Sequence, residues 1–210
     1  MNQLFNPEGK LFHYANKLSD LIILNLWVVV TSIPIITIGA STTAMHCVLL
    51  NIYRNTTQSS ITRCYFISFK DNFIQSTIAW FFYLIIGLAI SFDLYILNEG
   101  VLNLPSQIRY FIYIVAALIY LSANWFFILQ SRYKNNIRRT GRNALLFCFF
   151  HFWDTLMIGT ISLIPFVLVF LHKNALPVVL MGGFTMVGII CTSFYSRIFK
   201  MHERERKTFE

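Results

Sequence analysis

The sequence predicts an all-α integral membrane protein, a helix bundle with about six transmembrane helices and two short cytoplasmic amphipathic helices. The stretch from Leu21 to Ile38 has eighteen residues without a charge, and four or five similar stretches follow it. An α-helix of that length rises roughly 27 Å, close to the thickness of a bilayer's hydrocarbon core. Of the 210 residues, 56% are hydrophobic and 12% are charged, about half the charged fraction of a typical globular protein.

The first third of the chain predicts an interfacial segment and two spans. Residues 1–19 combine an apolar helical face with flanking lysines, which is typical of a helix that lies on the membrane surface. Span one is predicted at 20–32 and span two at 40–53. Pro34 separates them because proline removes a helix hydrogen bond, and in the segment that opens span two we predict Ser41 as the N-cap.

The rest of the chain predicts two basic loops and four further spans. The loops at 54–72 and 132–153 each carry aromatic residues at helical spacing beside basic residues, a pattern that indicates an amphipathic helix. The further spans are predicted at about 73–97, 108–131, 154–171 and 178–199, before a charged tail at 200–210. All 210 residues therefore form one transmembrane domain.

The distribution of basic residues predicts the orientation. Of the 17 lysines and arginines, 15 fall in the N-terminal segment, the two basic loops and the C-terminal end; only Arg109 and Lys173 fall in the opposite loops. Basic residues concentrate on the cytoplasmic side, so six crossings place both termini in the cytoplasm. The alternative is a re-entrant segment at residues 33–45, which gives five spans and an external N-terminus.

One set of residues resembles a known family. The run NLWVVVTSIPIITIGASTTA (25–44), followed by an arginine after span two and a Phe-x-x-Asn-Phe pattern entering span three, resembles the YesL-like family of bacterial membrane proteins, a domain of unknown function. The positions that carry the resemblance form the candidate structural or interaction motif: Asn25, Trp27, Pro34, Thr37, Gly39, Ala40, Thr43, Ala44, Arg54, Phe69, Asn72 and Phe73.

The resemblance implies a location and a role. Members are bacterial and are often encoded beside carbohydrate ABC importers, which implies a multi-pass protein of the cytoplasmic membrane that takes part in sugar uptake. The hypothesis is a non-catalytic accessory subunit that binds the permease subunits of such an importer. The alternatives are a small stand-alone transporter or, less favoured, an intramembrane sensor or enzyme.

The break at Pro34 and Gly39 has two interpretations. Proline frees backbone carbonyls that neighbouring threonines can bond, and broken helices of this kind line many transporter sites. The simpler interpretation, which we favour, is a tight helical hairpin in which Ala40 and Ala44 allow close helix packing. We also expect these two alanines to contribute to permease binding.

Isolated polar residues in the spans also have a structural and a functional interpretation. Asn25, His46 and Asn124 are expected to form hydrogen bonds between helices, with a polar pathway as the alternative. Asp93 lies near the outer end of span three, and we expect it to be solvated at the interface rather than to bind a proton or ion.

The sequence carries no enzyme motif such as H-E-x-x-H, G-x-S-x-G or a Walker lysine. The prediction is therefore a protein that is not an enzyme, with neither cofactor nor metal. The net charge of +8 is explained by the positive-inside pattern, so we expect the lipid bilayer, and not nucleic acid, as its surroundings.

We predict six spans with both termini cytoplasmic. Single cysteines in a Cys-free background should react with an impermeant external reagent at position 100 but not at positions 60, 137 or 208. External labelling at position 5, with position 137 protected, would instead establish the five-span arrangement.

Overall fold

The computed structural model describes residues 10–54, 60–99, 106–133 and 135–208, and in these ranges it contains helices and no strand. The predicted all-α helix bundle is therefore confirmed. The α-helices are α1 (Lys10–Ser32), α2 (Ile38–Tyr53), α3 (Ile61–Asn98), α4 (Ser106–Arg132), α5 (Ile137–Phe150), α6 (Phe152–Leu171), α7 (Leu176–Val178) and α8 (Phe184–Thr208). Two 3₁₀ turns, Ile35–Thr37 and Lys173–Ala175, and a π-helical turn, Val179–Gly183, connect some of them.

Five helical segments are long and apolar enough to cross a membrane within the described part of the chain. They are Ile35–Tyr53, Ile61–Leu97, Gln107–Arg132, Phe152–Leu171 and Leu176–Phe199. The helix that contains predicted span one, α1, is not among them. The number of crossings and the side on which the termini lie stay predictions.

Several helix boundaries differ from the predicted ones. α1 begins at Lys10 and runs without a break through residue 20, so residues 10–19 of the predicted interfacial segment form one helix with span one. The helix predicted within 54–72 likewise continues into span three as the 38-residue α3, because neither proline nor glycine interrupts residues 61–86. Residues 1–9, 55–59, 100–105, 134 and 209–210, which belong to predicted loops and tails, lie outside the described residues.

The second basic loop, predicted at 132–153, forms a helix of its own, α5. α5 ends at Phe150, and His151 has φ −118° and ψ 51°, outside the helical region. α6 therefore leaves in a new direction. The two copies of the basic-loop pattern thus have different structures, since the first is continuous with its span and the second is bent.

α2 lies at the centre of the bundle. It packs against α1, α3, α4 and α8, and its contact with α3 is the most extensive between any two helices of the described structure. Ten of its sixteen residues are buried. One apolar cluster surrounds Val48 and Tyr65 at the junction of α1, α2 and α3, and another surrounds Trp125 where α4, α5, α6 and α8 meet.

Gly39 allows α2 and α3 to approach each other closely. A Cβ atom added to Gly39 would lie 2.5 Å from the backbone oxygen of Ser76 and 2.7 Å from the Cβ of Trp80, so any larger residue would push the helices apart. One turn along α2, the Thr43 and Ser76 hydroxyls are hydrogen-bonded at 2.9 Å. Glycine and small polar residues therefore set the spacing of this helix pair.

We predict that Gly39→Ala destabilises the protein by about 1–3 kcal/mol, the usual cost of inserting a group into a packed core. The loss should appear as a lower midpoint of thermal unfolding for the purified protein in detergent. The matched control is Gly87→Ala in α3, where an added Cβ meets no atom within 4 Å and alanine favours the helix. Equal midpoints for the two variants would contradict the close-approach argument.

Candidate functional site

The turn between α1 and α2 begins the candidate site. Pro34 has an extended backbone, with φ −73° and ψ 114°. Its carbonyl accepts hydrogen bonds from the Thr37 backbone N–H at 2.9 Å and the Thr37 hydroxyl at 2.8 Å, and the Thr37 hydroxyl also contacts the Thr31 carbonyl. Thr37 thus bonds the carbonyls that the helix break leaves open, as a tight helical hairpin requires.

A hydroxyl cluster, formed by Thr31, Ser32, Ser41 and Tyr65, joins three helices beside this turn. The Thr31 hydroxyl lies 2.6 Å from the Tyr65 hydroxyl and 2.9 Å from that of Ser41, which in turn lies 2.9 Å from Tyr65. Ser32 donates to Ser41 at 3.0 Å. Since these residues come from α1, α2 and α3, the cluster fastens the hairpin to the third helix.

Two features of this cluster differ from the sequence prediction. Ser41 is not the N-cap of α2, because the helix begins at Ile38 after a 3₁₀ turn and Ser41 lies fully buried within it. Tyr65, which completes the cluster, is one of the aromatic residues at helical spacing in the predicted loop at 54–72. That spacing predicts its place on a helix, but nothing in the sequence shows that its hydroxyl meets residues 24 and 34 positions earlier.

Ala40 and Ala44 face the inside of the bundle. Both have 0% of their surface exposed, and Ala44 packs in the cluster that contains Val48 and Tyr65. The prediction that they allow close helix packing is therefore confirmed. Their methyl groups are covered by the protein's own helices and offer no surface for direct contact with a partner, and their contribution to permease binding stays a prediction.

The aromatic part of the motif lines the junction between α1 and α3. Trp27 donates its indole N–H to the Thr62 hydroxyl at 3.2 Å and packs edge-on against Phe66, with ring centroids 4.8 Å apart. Phe69 lies between Tyr65 and Phe73, at centroid distances of 6.1 and 5.5 Å. These rings continue the junction along α3 beyond the hydroxyl cluster.

Two further motif residues form hydrogen bonds to carbonyls of their own helices. Asn72 donates its side-chain amide to the Ser68 carbonyl of its own helix at 2.9 Å. Arg54 ends α2, and its backbone N–H bonds the Leu50 carbonyl at 3.1 Å.

Asn25 forms a second polar contact, between α1 and the π-helical turn. It is fully buried, and its side-chain amide donates to the carbonyls of Leu180 at 2.6 Å and Val179 at 3.3 Å. Its side-chain oxygen accepts the Thr185 backbone N–H at 3.1 Å. A π turn interrupts the regular helical bonding, and Asn25 supplies partners there, which confirms the predicted interhelical role.

The other three polar residues singled out in the sequence, Asn124, His46 and Asp93, lie in three different environments. Asn124 donates its side-chain amide to the Tyr120 carbonyl of its own helix at 3.0 Å, so the interhelical bond predicted for this amide is wrong. His46 is buried edge-on against Tyr195, with ring centroids 5.9 Å apart, and its Nδ1 has no hydrogen-bond partner in the described structure. Asp93 is exposed on α3, as expected for an interfacial carboxylate.

The chemistry available to the described residues is limited. No group of three or more His, Cys, Asp or Glu residues among them is arranged to hold a metal ion. All four cysteines are free. Burial raises the pKa of the Cys148 thiol in α5, which favours the protonated, unreactive form.

The five apolar helices, together with the hairpin of α1 and α2 that is held by hydrogen bonds of the hydroxyl cluster, define a helical membrane protein. Residues 21–94 match the family model described as "Protein of unknown function, DUF624". This is the model of the YesL-like family domain, so the predicted resemblance is confirmed over this segment. The match covers about a third of the chain and includes every motif residue. No curated protein and no solved structure matches the chain.

We predict that Asn25→Leu destabilises the protein by about 1–3 kcal/mol, because it removes the buried side-chain hydrogen bonds to the Val179 and Leu180 carbonyls and from the Thr185 N–H. The Thr185 amide should also exchange its hydrogen faster. Thermal unfolding in detergent and hydrogen-exchange mass spectrometry measure the two effects. Asn124→Leu is the control, since that amide bonds only its own helix, and equal losses from both variants would refute the bridging role.

Proposed function

We propose that this protein is a non-catalytic accessory subunit of a bacterial carbohydrate ABC importer, which binds the importer's permease through the outer face of α3. The match to the YesL-like domain supports the first part, because that resemblance implies a role in sugar uptake. Ala40 and Ala44 are buried inside the bundle. Their burial supports the second part, because a partner can contact only the outer surface of the bundle.

The outer face of α3 is the single observation that carries the proposal. Only 6% of the most apolar stretch of this helix is buried within the protein, whereas α2 is mostly enclosed. The face consists of large apolar side chains that recur every three or four residues and are each more than half exposed: Ile74, Ile78, Phe82, Ile85, Leu88 and Phe92.

The length of α3 suits contact with a large membrane partner. Its 38 residues rise roughly 57 Å, well beyond a hydrocarbon core of about 30 Å. The helix therefore offers a surface both within the bilayer and beyond it. A permease that spans the same membrane matches this length.

Co-purification tests the proposal. A tagged wild-type chain, extracted from its native membrane in mild detergent, should retain an ABC permease in stoichiometric amount. The triple variant Ile78→Ala, Phe82→Ala, Ile85→Ala should reduce the retained permease at least tenfold, because it removes side chains through which the outer face of α3 contacts the partner. All three side chains are more than half exposed, so the variant should keep the wild-type unfolding midpoint.

The triple variant Met157→Ala, Phe170→Ala, Leu171→Ala in α6 is the matched control, because these side chains are also apolar and more than half exposed. This variant should retain the permease. A wild-type chain that purifies without any permease contradicts the accessory role. Sugar flux into liposomes that contain this chain alone would support the stand-alone transporter instead.

A further inference from the structure

The exposed side of α5 changes in character along the helix. In its first two turns the exposed side chains include three arginines, and in its last two turns they are apolar. Together with the residues just after the bend they form what we call the α5 surface: Arg138, Arg139, Arg142, Leu145, Leu146, Phe149, Phe150, Phe152 and Trp153. No acidic residue lies within α5.

The opposite side of α5 is fixed to the bundle. Thr140, Ala144 and Cys148 are buried against neighbouring helices. The Thr140 hydroxyl donates to the side-chain oxygen of Gln130 at 3.2 Å, and the Gln130 amide bonds the Gln75 side chain of α3. Because these contacts hold one side of α5 inward, the α5 surface cannot turn toward the core.

The apolar half of the α5 surface continues into a membrane-spanning helix. Phe150 and Trp153, on either side of the bend, are each 79% exposed. Further along, Met157 is 55% exposed on α6, which is long and apolar enough to cross the bilayer. Side chains this apolar, joined directly to a lipid-facing helix, belong at the depth where α6 enters the membrane.

We infer that the α5 surface binds acidic phospholipids of the bilayer. Its aromatic half inserts below the headgroups, and the three arginines then lie at the level of the lipid phosphates. Arg138 and Arg142 are one turn apart on the same side, with Arg139 beside them. A guanidinium group can donate two parallel hydrogen bonds to a phosphate, and basic residues beside an inserted helix attract acidic lipid.

Thermal unfolding of the full-length chain in a neutral detergent tests this inference. Added dioleoylphosphatidylglycerol should raise the unfolding midpoint more than dioleoylphosphatidylcholine does, and high salt should weaken the difference. The triple variant Arg138→Gln, Arg139→Gln, Arg142→Gln should lose the difference. A triple variant that keeps the full difference overturns the inference.

A charge-matched variant separates local binding from overall charge. Arg63→Gln, Lys70→Gln and Arg197→Gln together remove the same charge from exposed positions on α3 and α8. This variant should keep the phosphatidylglycerol effect, and losing it as fully as the α5 variant does would overturn the inference. Inorganic phosphate should not reproduce the effect, and an equal shift with phosphate would show a simple anion site instead.

A measurement on the wild-type protein covers the case in which the triple variant does not fold. In nanodiscs, brominated phosphatidylglycerol should quench the fluorescence of Trp153 more strongly than brominated phosphatidylcholine, with Trp153→Phe defining the contribution of the other tryptophans. Equal quenching by both lipids overturns the acidic-lipid preference. No quenching of Trp153 by either lipid would show that protein or water covers the α5 surface.

Discussion

The close contact between α2 and α3 at Gly39 is the constraint on which the rest of the bundle depends. In lipid, apolar surface gains little from moving off the acyl chains onto another helix, so helices associate through atoms in direct contact and through polar bonds. Gly39 brings the Ser76 backbone against α2, and Thr43 adds a hydroxyl bond across the same contact. Because α2 also packs against α1, α4 and α8, its distance from α3 affects the position of all three.

Polar contacts hold α1 to the central pair α2 and α3 and to the segment before α8. The hydroxyl cluster fastens its C-terminal end to α2 and α3, and Asn25 fastens its middle to the π turn before α8. Both contacts lie where a regular helix is interrupted, after Ser32 and at Val179–Gly183. Backbone groups that a helix break frees inside a membrane require partners within the protein. Side chains of α1 supply such partners both at the break after Ser32 and at the π turn.

The two outward surfaces differ in a way that follows from the membrane. The outer face of α3 is apolar along several turns, so hydrocarbon or another apolar helix is its compatible surrounding. The α5 surface is basic at one end and aromatic at the other, which suits the boundary between headgroups and acyl chains. The buried face of α5, held through Thr140 and Gln130, fixes this surface relative to the bundle.

The sequence by itself determined the helical membrane class, since long uncharged runs fit few other structures. It also located the break at Pro34 and the motif around Gly39. Only the tertiary structure decided that Ala40 and Ala44 face inward and that the Asn25 side chain meets Val179. The physical reason is that lipid-facing and core-facing positions are both apolar in a membrane protein, so hydropathy does not separate inside from outside, and bonds between distant residues exist only once the helices are packed.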